Sequence, residues 1–194
     1  MSPRYPSRTK PVWPLLVLLD RDGVINADSP DYILSVDQWQ PLPGSIEAIA
    51  CLSRAGIAVA VCTNQSAIGR GLLSEATLEA IHAQLKEQVI AAGGELAAIY
   101  ACPHSPEAQC GCRKPAPGLC QQALLDRHVL ASDALLIGDS ERDLAAAQAL
   151  GMPAWLVRTG NGRQTEAGQA PNQPVYDDLA DAVKAVLALS QRDT

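Results

Sequence analysis

"LLVLLDRDGVIN", residues 15–26, runs five apolar residues straight into two aspartates one residue apart, followed by a glycine. Apolar side chains at successive rather than alternate positions predict a strand covered on both faces. A strand that stops on charge and glycine turns out of its sheet there, which leaves Asp20 and Asp22 at the carboxyl edge. If the extended backbone persists briefly, both carboxylates point to one side, where they repel unless they share a cation or a proton.

The same pattern recurs along the chain. Residues 57–62, 96–102, 134–138 and 154–157 are further short apolar runs, and segments of helical period lie at about 44–55, 74–92, 117–129, 141–150 and 178–189. In 74–92, Ser74 is placed to cap the helix, Leu78, Ile81, Leu85 and Val89 form one stripe, and Gly93-Gly94 ends it. His82 sits beside that stripe and reads as a surface or half-buried structural residue rather than a ligand. Residues 159–174, "TGNGRQTEAGQAPNQP", are polar and read as a surface loop. Strand alternating with helix predicts an α/β, Rossmann-like fold: a parallel sheet with helices on both faces. One domain is expected over residues 1–194, with its core at about 15–189.

Composition narrows the function. A chain of 194 residues with a formal net charge of -6 is acidic, which argues against a nucleic-acid surface and leaves room for a small anion held by a few local cations. No apolar run approaches the roughly 20 residues that span a bilayer. The basic start "MSPRYPSRTK" before an apolar run resembles a secretion signal, but Pro11 and Pro14 interrupt it and "DRD" stands where a cleavage site would be. The run therefore reads as a buried strand of a cytoplasmic, monomeric protein with no membrane partner. Of six cysteines, Cys51, Cys62 and Cys120 lie in apolar segments and read as core residues.

Ligands of open parallel sheets bind beyond the carboxyl ends of the strands, so the residues after each run matter most. Asp20 and Asp22 follow the first run, and Thr63, Asn64, Gln65 and Ser66 follow the second. After the third comes "CPHSPEAQCGCRKP" (102–115), and after the fourth Asp139, Ser140 and, one helical turn on, Asp143. Singly, each acid could be a helix cap or a solvated turn. Together they suit phosphoryl transfer: acids for Mg²⁺, a lysine and hydroxyl or amide donors for phosphoryl oxygens, one aspartate to attack phosphorus and one to move protons.

Cys102, His104, Cys110 and Cys112 supply three thiolates and an imidazole, the donor set of tetrahedral Zn²⁺. Four protein ligands leave no open position, so the metal would be structural and the cations it delivers would be Arg113 and Lys114. A reduced loop without metal, or a Cys110–Cys112 disulfide, is the plainer alternative.

"LDRDGVIN", "TNQS", "CRKP" and "GDSERD", in that order, resemble the four signature motifs of the haloacid-dehalogenase (HAD) phosphatases over residues 15–189. The Cys/His insertion before "RKP" is similar to that of the histidinol-phosphatase-like subgroup, and within it to the heptose-bisphosphate phosphatases. The resemblance implies Asp20 as nucleophile and Mg²⁺ ligand, and Asp22 as general acid/base offering the metal its backbone carbonyl. Thr63 and Lys114 would stabilise the transferred phosphoryl group, with Asn64, Gln65 and Ser66 among the substrate contacts. Arg113 would meet the distal part of the substrate, Asp139 would complete the Mg²⁺ ligands, and Asp143 would orient its neighbours. Ser140 stands where familiar relatives carry a lysine, which alters that substrate contact.

No lid domain is inserted, so loops 24–40, 66–73 and 102–117 must shape the entrance, with Arg70 leaning toward the loop rather than the substrate. The reaction implied is removal of the 7-phosphate of a heptose 1,7-bisphosphate through an aspartyl phosphate, on the route to activated heptose for lipopolysaccharide. Histidinol-phosphate hydrolysis and a non-catalytic zinc-bearing binding module stay open at this point.

Overall fold

The computed structural model describes residues 13–168 and 172–190, so the basic start of the chain lies outside the described residues. In chain order the elements are β1 Leu16–Leu19, α1 Ser45–Arg54, β2 Ala58–Asn64, α2 Ser66–Gly69, α3 Glu75–Ala91, β3 Ala98–Cys102, α4 Gly118–Arg127, β4 Ala134–Gly138, α5 Glu141–Gln148, β5 Ala154–Val157, α6 Gly162–Gly168, β6 Val175–Tyr176 and α7 Leu179–Ser190. All six strands join one parallel sheet in the order β3-β2-β1-β4-β5-β6.

The reason "LLVLL" is apolar throughout is visible in its two faces. Val17 and Leu19 pack into one core with Ile49 of α1, Ile81 of α3 and Val186 of α7. Leu16 and Leu18 pack into the other with Leu119 and Ala123 of α4 and Ala146 of α5. The four residues of β1 have no exposed surface, so each side of the strand needs a hydrophobe. Ser74 caps α3 as expected, its hydroxyl accepting from the Thr77 amide at 3.0 Å, a cap that contributes about 1 kcal/mol.

β1 sits between β2 and β4, and the chain leaves it to build outward on one side before crossing to build on the other. That reversal opens a crevice past the ends of β1 and β4, the general ligand position of open parallel sheets. Every strand-end motif of the sequence reaches this edge.

One expectation fails. The segment 159–174 is not wholly a loop: α6 occupies Gly162–Gly168. Its order comes from tertiary anchors rather than an apolar stripe. The Thr165 hydroxyl donates to the Asp139 carbonyl at 2.9 Å, and Arg158 at the end of β5 grips both carboxylate oxygens of Glu166 at 2.7 Å. No helix among the described residues is long and apolar enough to cross a membrane.

Candidate active site

Asp20 follows β1 directly, its amide still donating to Ile137 of β4 at 3.1 Å, so the sheet fixes its backbone. Its carboxylate meets the ammonium of Lys114 at 2.9 Å, and the same ammonium pairs with Asp143. Lys114 is 2% exposed and reaches this position from the loop after β3. Its backbone is pinned in both directions by Asn64, whose amide donates to the Lys114 carbonyl at 2.9 Å and accepts from its N–H at 3.0 Å. Asn64, expected among the substrate contacts, thus spends its side chain on holding the lysine. The two carboxylates hold Lys114 charged, raising its pKa although burial works against it.

Asp139 follows β4, and its Oδ2 accepts from the amide and the side chain of Asn161 at 2.7 and 3.2 Å. Gly23 and Gly160, with φ of +83° and +56°, flank this carboxylate, and a Cβ on either would strike it. Only glycine allows both the backbone and the approach. Asp143, fully buried, accepts from the amide and hydroxyl of Ser140 at 3.1 and 2.6 Å, closing the N-terminus of α5. Ser140 borders the cavity, but its proton is committed to Asp143. Asp143 thus contacts both Ser140 and Lys114.

Asp20, Asp139 and Asp143 bring carboxylate oxygens within 4.8 Å of one another. Burial, opposed by Lys114 and reinforced by the neighbouring acids, pushes Asp20 up to about 7. Burial also lifts Asp139 to about 6, against the pull of the Asn161 donors. Acids so crowded are a poor resting state by themselves and a good cradle for a hard divalent cation, so the donor set fits Mg²⁺.

The side chain of Asp22 stands outside that group of three acids but borders the same cavity. Its Oδ1 accepts from Arg21 Nη2, Asn26 Nδ2 and Arg21 Nε at 2.9, 2.9 and 3.1 Å, and its Oδ2 from Gln65 Nε2 at 2.8 Å. Gln65 Nε2 also donates to the Thr63 hydroxyl at 2.8 Å, so Gln65, like Asn64, works inward. Thr63 and Ser66, both buried, border the cavity. That cavity, about 170 Å³, opens beside Asp28, Ser29, Tyr32 and Ile33 of the entrance segment. Arg113 and Arg142 stand together in its wall, and neither makes an ion pair among the described residues. Arg70 faces Glu107 of the neighbouring loop at 3.5 Å instead.

Sequence reasoning missed Arg21, Asn161 and Arg142. Asn161 lies 22 residues from Asp139, with nothing in its own stretch to announce it. Arg142 lies inside "GDSERD", where the acids around it carry the motif's signal and mask the cation.

The Cys/His group assembles. Cys102 Sγ lies 3.6 Å from Cys110 Sγ and 3.2 Å from Cys112 Sγ, and His104 Nδ1 lies 3.5 and 3.3 Å from the sulfurs of Cys102 and Cys112. Metal bonds of about 2.3 Å to sulfur and 2.0 Å to nitrogen give tetrahedral edges close to these. All the cysteines are free thiols, so no Cys110–Cys112 disulfide forms. The donors fit a four-coordinate soft cation.

A HAD-hydrolase-like family model matches residues 111–182. The D-glycero-beta-D-manno-heptose-1,7-bisphosphate 7-phosphatase of Pseudomonas aeruginosa is 50% identical over 173 residues, covering 89% of this chain and 97% of that one. The enzyme of the same name from Bordetella bronchiseptica is 44% identical over 174 residues, covering 89% and 97%. The crystal structure of D,D-heptose 1,7-bisphosphate phosphatase from B. bronchiseptica, complexed with magnesium and phosphate, superposes with a TM-score of 0.87 at 44% identity, over 89% of this chain and 98% of that one. With relatives this similar over nearly its whole length, and with the motif residues gathered on one sheet edge, the chain belongs to the HAD-type D-glycero-beta-D-manno-heptose-1,7-bisphosphate 7-phosphatase family.

Proposed function

We propose that this protein is a Mg²⁺-dependent phosphatase that removes the 7-phosphate of D-glycero-β-D-manno-heptose 1,7-bisphosphate. The observation that carries the reading is the pairing of Asp20 with Lys114 at the end of β1, beside Asp139, in a chain 50% identical to an enzyme named for that reaction. Asp20 attacks phosphorus, the bond from phosphorus to the sugar oxygen breaks, and Asp22 gives that oxygen a proton. Water then attacks the aspartyl phosphate and Asp22 takes its proton, which frees phosphate and restores the Asp20 carboxylate. Lys114 and the Thr63 hydroxyl hold phosphoryl oxygens as charge spreads over them. The side chains of Asp20 and Asp139, with the backbone carbonyl of Asp22, would hold Mg²⁺, whose charge lets a carboxylate approach a phosphate dianion. Cys102, His104, Cys110 and Cys112 would hold Zn²⁺ as a structural ion.

A second phosphate on the substrate needs its own cations. Lys114 and Arg21 are paired with aspartates, whereas Arg113 and Arg142 carry no carboxylate partner among the described residues and share one side of the mouth. They are the natural contacts for the distal phosphate. The test compares kcat/KM for the heptose bisphosphate and for histidinol phosphate in one preparation. The bisphosphate is expected to win by about 10²-fold or more, and Arg142→Ala is expected to raise KM for it about 10-fold with little change in kcat. Preference for histidinol phosphate would overturn the assignment.

Mg²⁺ should also leave a pH signature. Asp20 and Asp139 have folded pKa values of about 7 and about 6 against 3.8 for the free side chain. Their contribution to metal-free stability is therefore fully present below about pH 4 and lost as pH rises through 6 to 7. A divalent cation relieves that loss because it binds the ionised forms. The gain in Tm on adding Mg²⁺ is expected to be larger at pH 8 than at pH 5, two conditions that bracket both values. An equal gain at both would contradict the carboxylate cradle.

A further inference from the structure

Arg21 occupies the position between two catalytic aspartates, yet it is 1% exposed and its guanidinium is spent inside the protein. Nε and Nη2 fork onto the carboxylate of Asp22, with Nη2 at 2.9 and 3.0 Å from its two oxygens and 3.1 Å from Gln65 Oε1. The remaining nitrogen, Nη1, lies 3.3 Å from Nε2 of His82 on α3. A guanidinium has no lone pair to offer, so this contact is a hydrogen bond only if His82 Nε2 accepts and its proton sits on Nδ1. The surroundings favour that form: burial, with Arg21 and Lys86 beside the ring, holds His82 down at about 4, neutral at cellular pH.

The chain from helix to acid is thus continuous. α3 is 17 residues long and its Ile81 and Leu85 are fully buried, so His82 hangs from a rigid support. Asp22, by contrast, lies in a turn that leaves the sheet, where a carboxylate has several rotamers open to it. A fork held at its far end by a helix, with Asn26 and Gln65 closing the other two sides, leaves one. We propose that His82 and Arg21 are positioning residues that set the orientation of Asp22 for proton transfer to the leaving sugar oxygen. The inference rests on the reading of Asp22 as the general acid.

A merely structural role would weaken every substrate alike, whereas a misplaced acid matters only when the leaving group needs a proton. The heptose 7-oxygen leaves as an alkoxide and needs one; p-nitrophenolate does not. The experiment therefore measures kcat/KM, which reports phosphoryl transfer to Asp20, for the heptose bisphosphate and for p-nitrophenyl phosphate. His82→Leu is expected to lower the first about 10-fold and the second far less, since small displacements of an acting group cost that much or more. His82→Gln, whose side-chain oxygen can accept from Arg21, is expected to recover most of the loss. Arg21→Lys, which keeps the charge but not the fork, should behave like His82→Leu, with Tm recorded for each variant. Equal losses on both substrates, or none, would overturn the proposal. Asp22→Asn is the control and should show a larger split, about 10²-fold or more. If Asp22→Asn shows no split, the acid reading itself falls and this inference with it; if only the His82 and Arg21 variants lack one, the inference alone falls.

Discussion

Asp20→Asn will abolish turnover, by about 10⁴-fold or more, and will leave the protein folded. Losses of that scale follow removal of the group that makes the covalent bond, because the remaining residues can only bind what they no longer attack. The fold should tolerate the change for reasons local to the site. The backbone of residue 20 is held by Ile137, and the side-chain oxygen that accepts from the Arg21 amide at 2.7 Å can be supplied by asparagine as well. Lys114 keeps Asp143 as a counter-charge when Asp20 loses its own. The amide oxygen can still accept from that lysine, and an ionised carboxylate disfavoured by burial and by three neighbouring acids is gone. The metal-free variant is therefore expected to melt no lower than the parent at neutral pH. Steady-state rates with the heptose bisphosphate, a melting curve, and mass spectrometry of quenched protein check the three parts together. The parent should show a phosphorylated aspartate, and the variant should not. Normal turnover by the variant would refute covalent catalysis at this position.

The residues needed for that experiment were legible in the sequence because the fold writes its site at strand ends. β1 and β4 announce themselves by being apolar on both faces, and the residues just past an unmistakable buried strand must lie at the sheet edge. The contacts that stayed hidden depend on partners far along the chain. Arg21 is an ordinary turn residue until His82, 61 positions later, is known to face it. Asn64 looks like a phosphate contact until the lysine it pins arrives 50 positions later. The helix α6 has no period of its own to detect, since its order rests on Thr165 reaching Asp139 and Glu166 reaching Arg158. Local pattern reveals elements that bury a face; elements and side chains fixed by single polar contacts emerge only with the tertiary structure.

The loop after β3 gives the second large effect, and its test is metal removal. Stripping the Cys102, His104, Cys110 and Cys112 group of its cation is expected to cost about 4 kcal/mol, a fraction of what isolated zinc-folded peptides gain, because this loop is also held by hydrogen bonds. Gly69 donates to Pro103 at 2.8 Å and Gly118 to Gly111 at 3.1 Å, so the loop keeps some anchors. It has little else. Pro106 to Ala108 form one short turn with no buried residue, and without a metal burial and the neighbouring Cys112 and Cys110 sulfurs push the Cys102 thiol up to about 12 and leave it uncharged. A loss of that size lowers Tm by roughly 10 °C in a chain of this length. Activity should fall with it, because Arg113, whose Nη1 donates to the His104 carbonyl at 3.3 Å, and Lys114 both hang from this loop. A shift of about 1 Å in Lys114 would cost roughly 10²-fold in kcat/KM. The preparation as isolated should contain about one zinc per chain by elemental analysis, the count four protein donors imply. A chelator also strips Mg²⁺, so the decisive sample is chelated protein with Mg²⁺ restored: it should stay impaired until Zn²⁺ is added. Cys112→Ala, which removes one donor without any chelator, should match it. Zinc-free protein with full stability and full kcat/KM would show instead that Asn64 and the two paired aspartates hold the lysine without the metal.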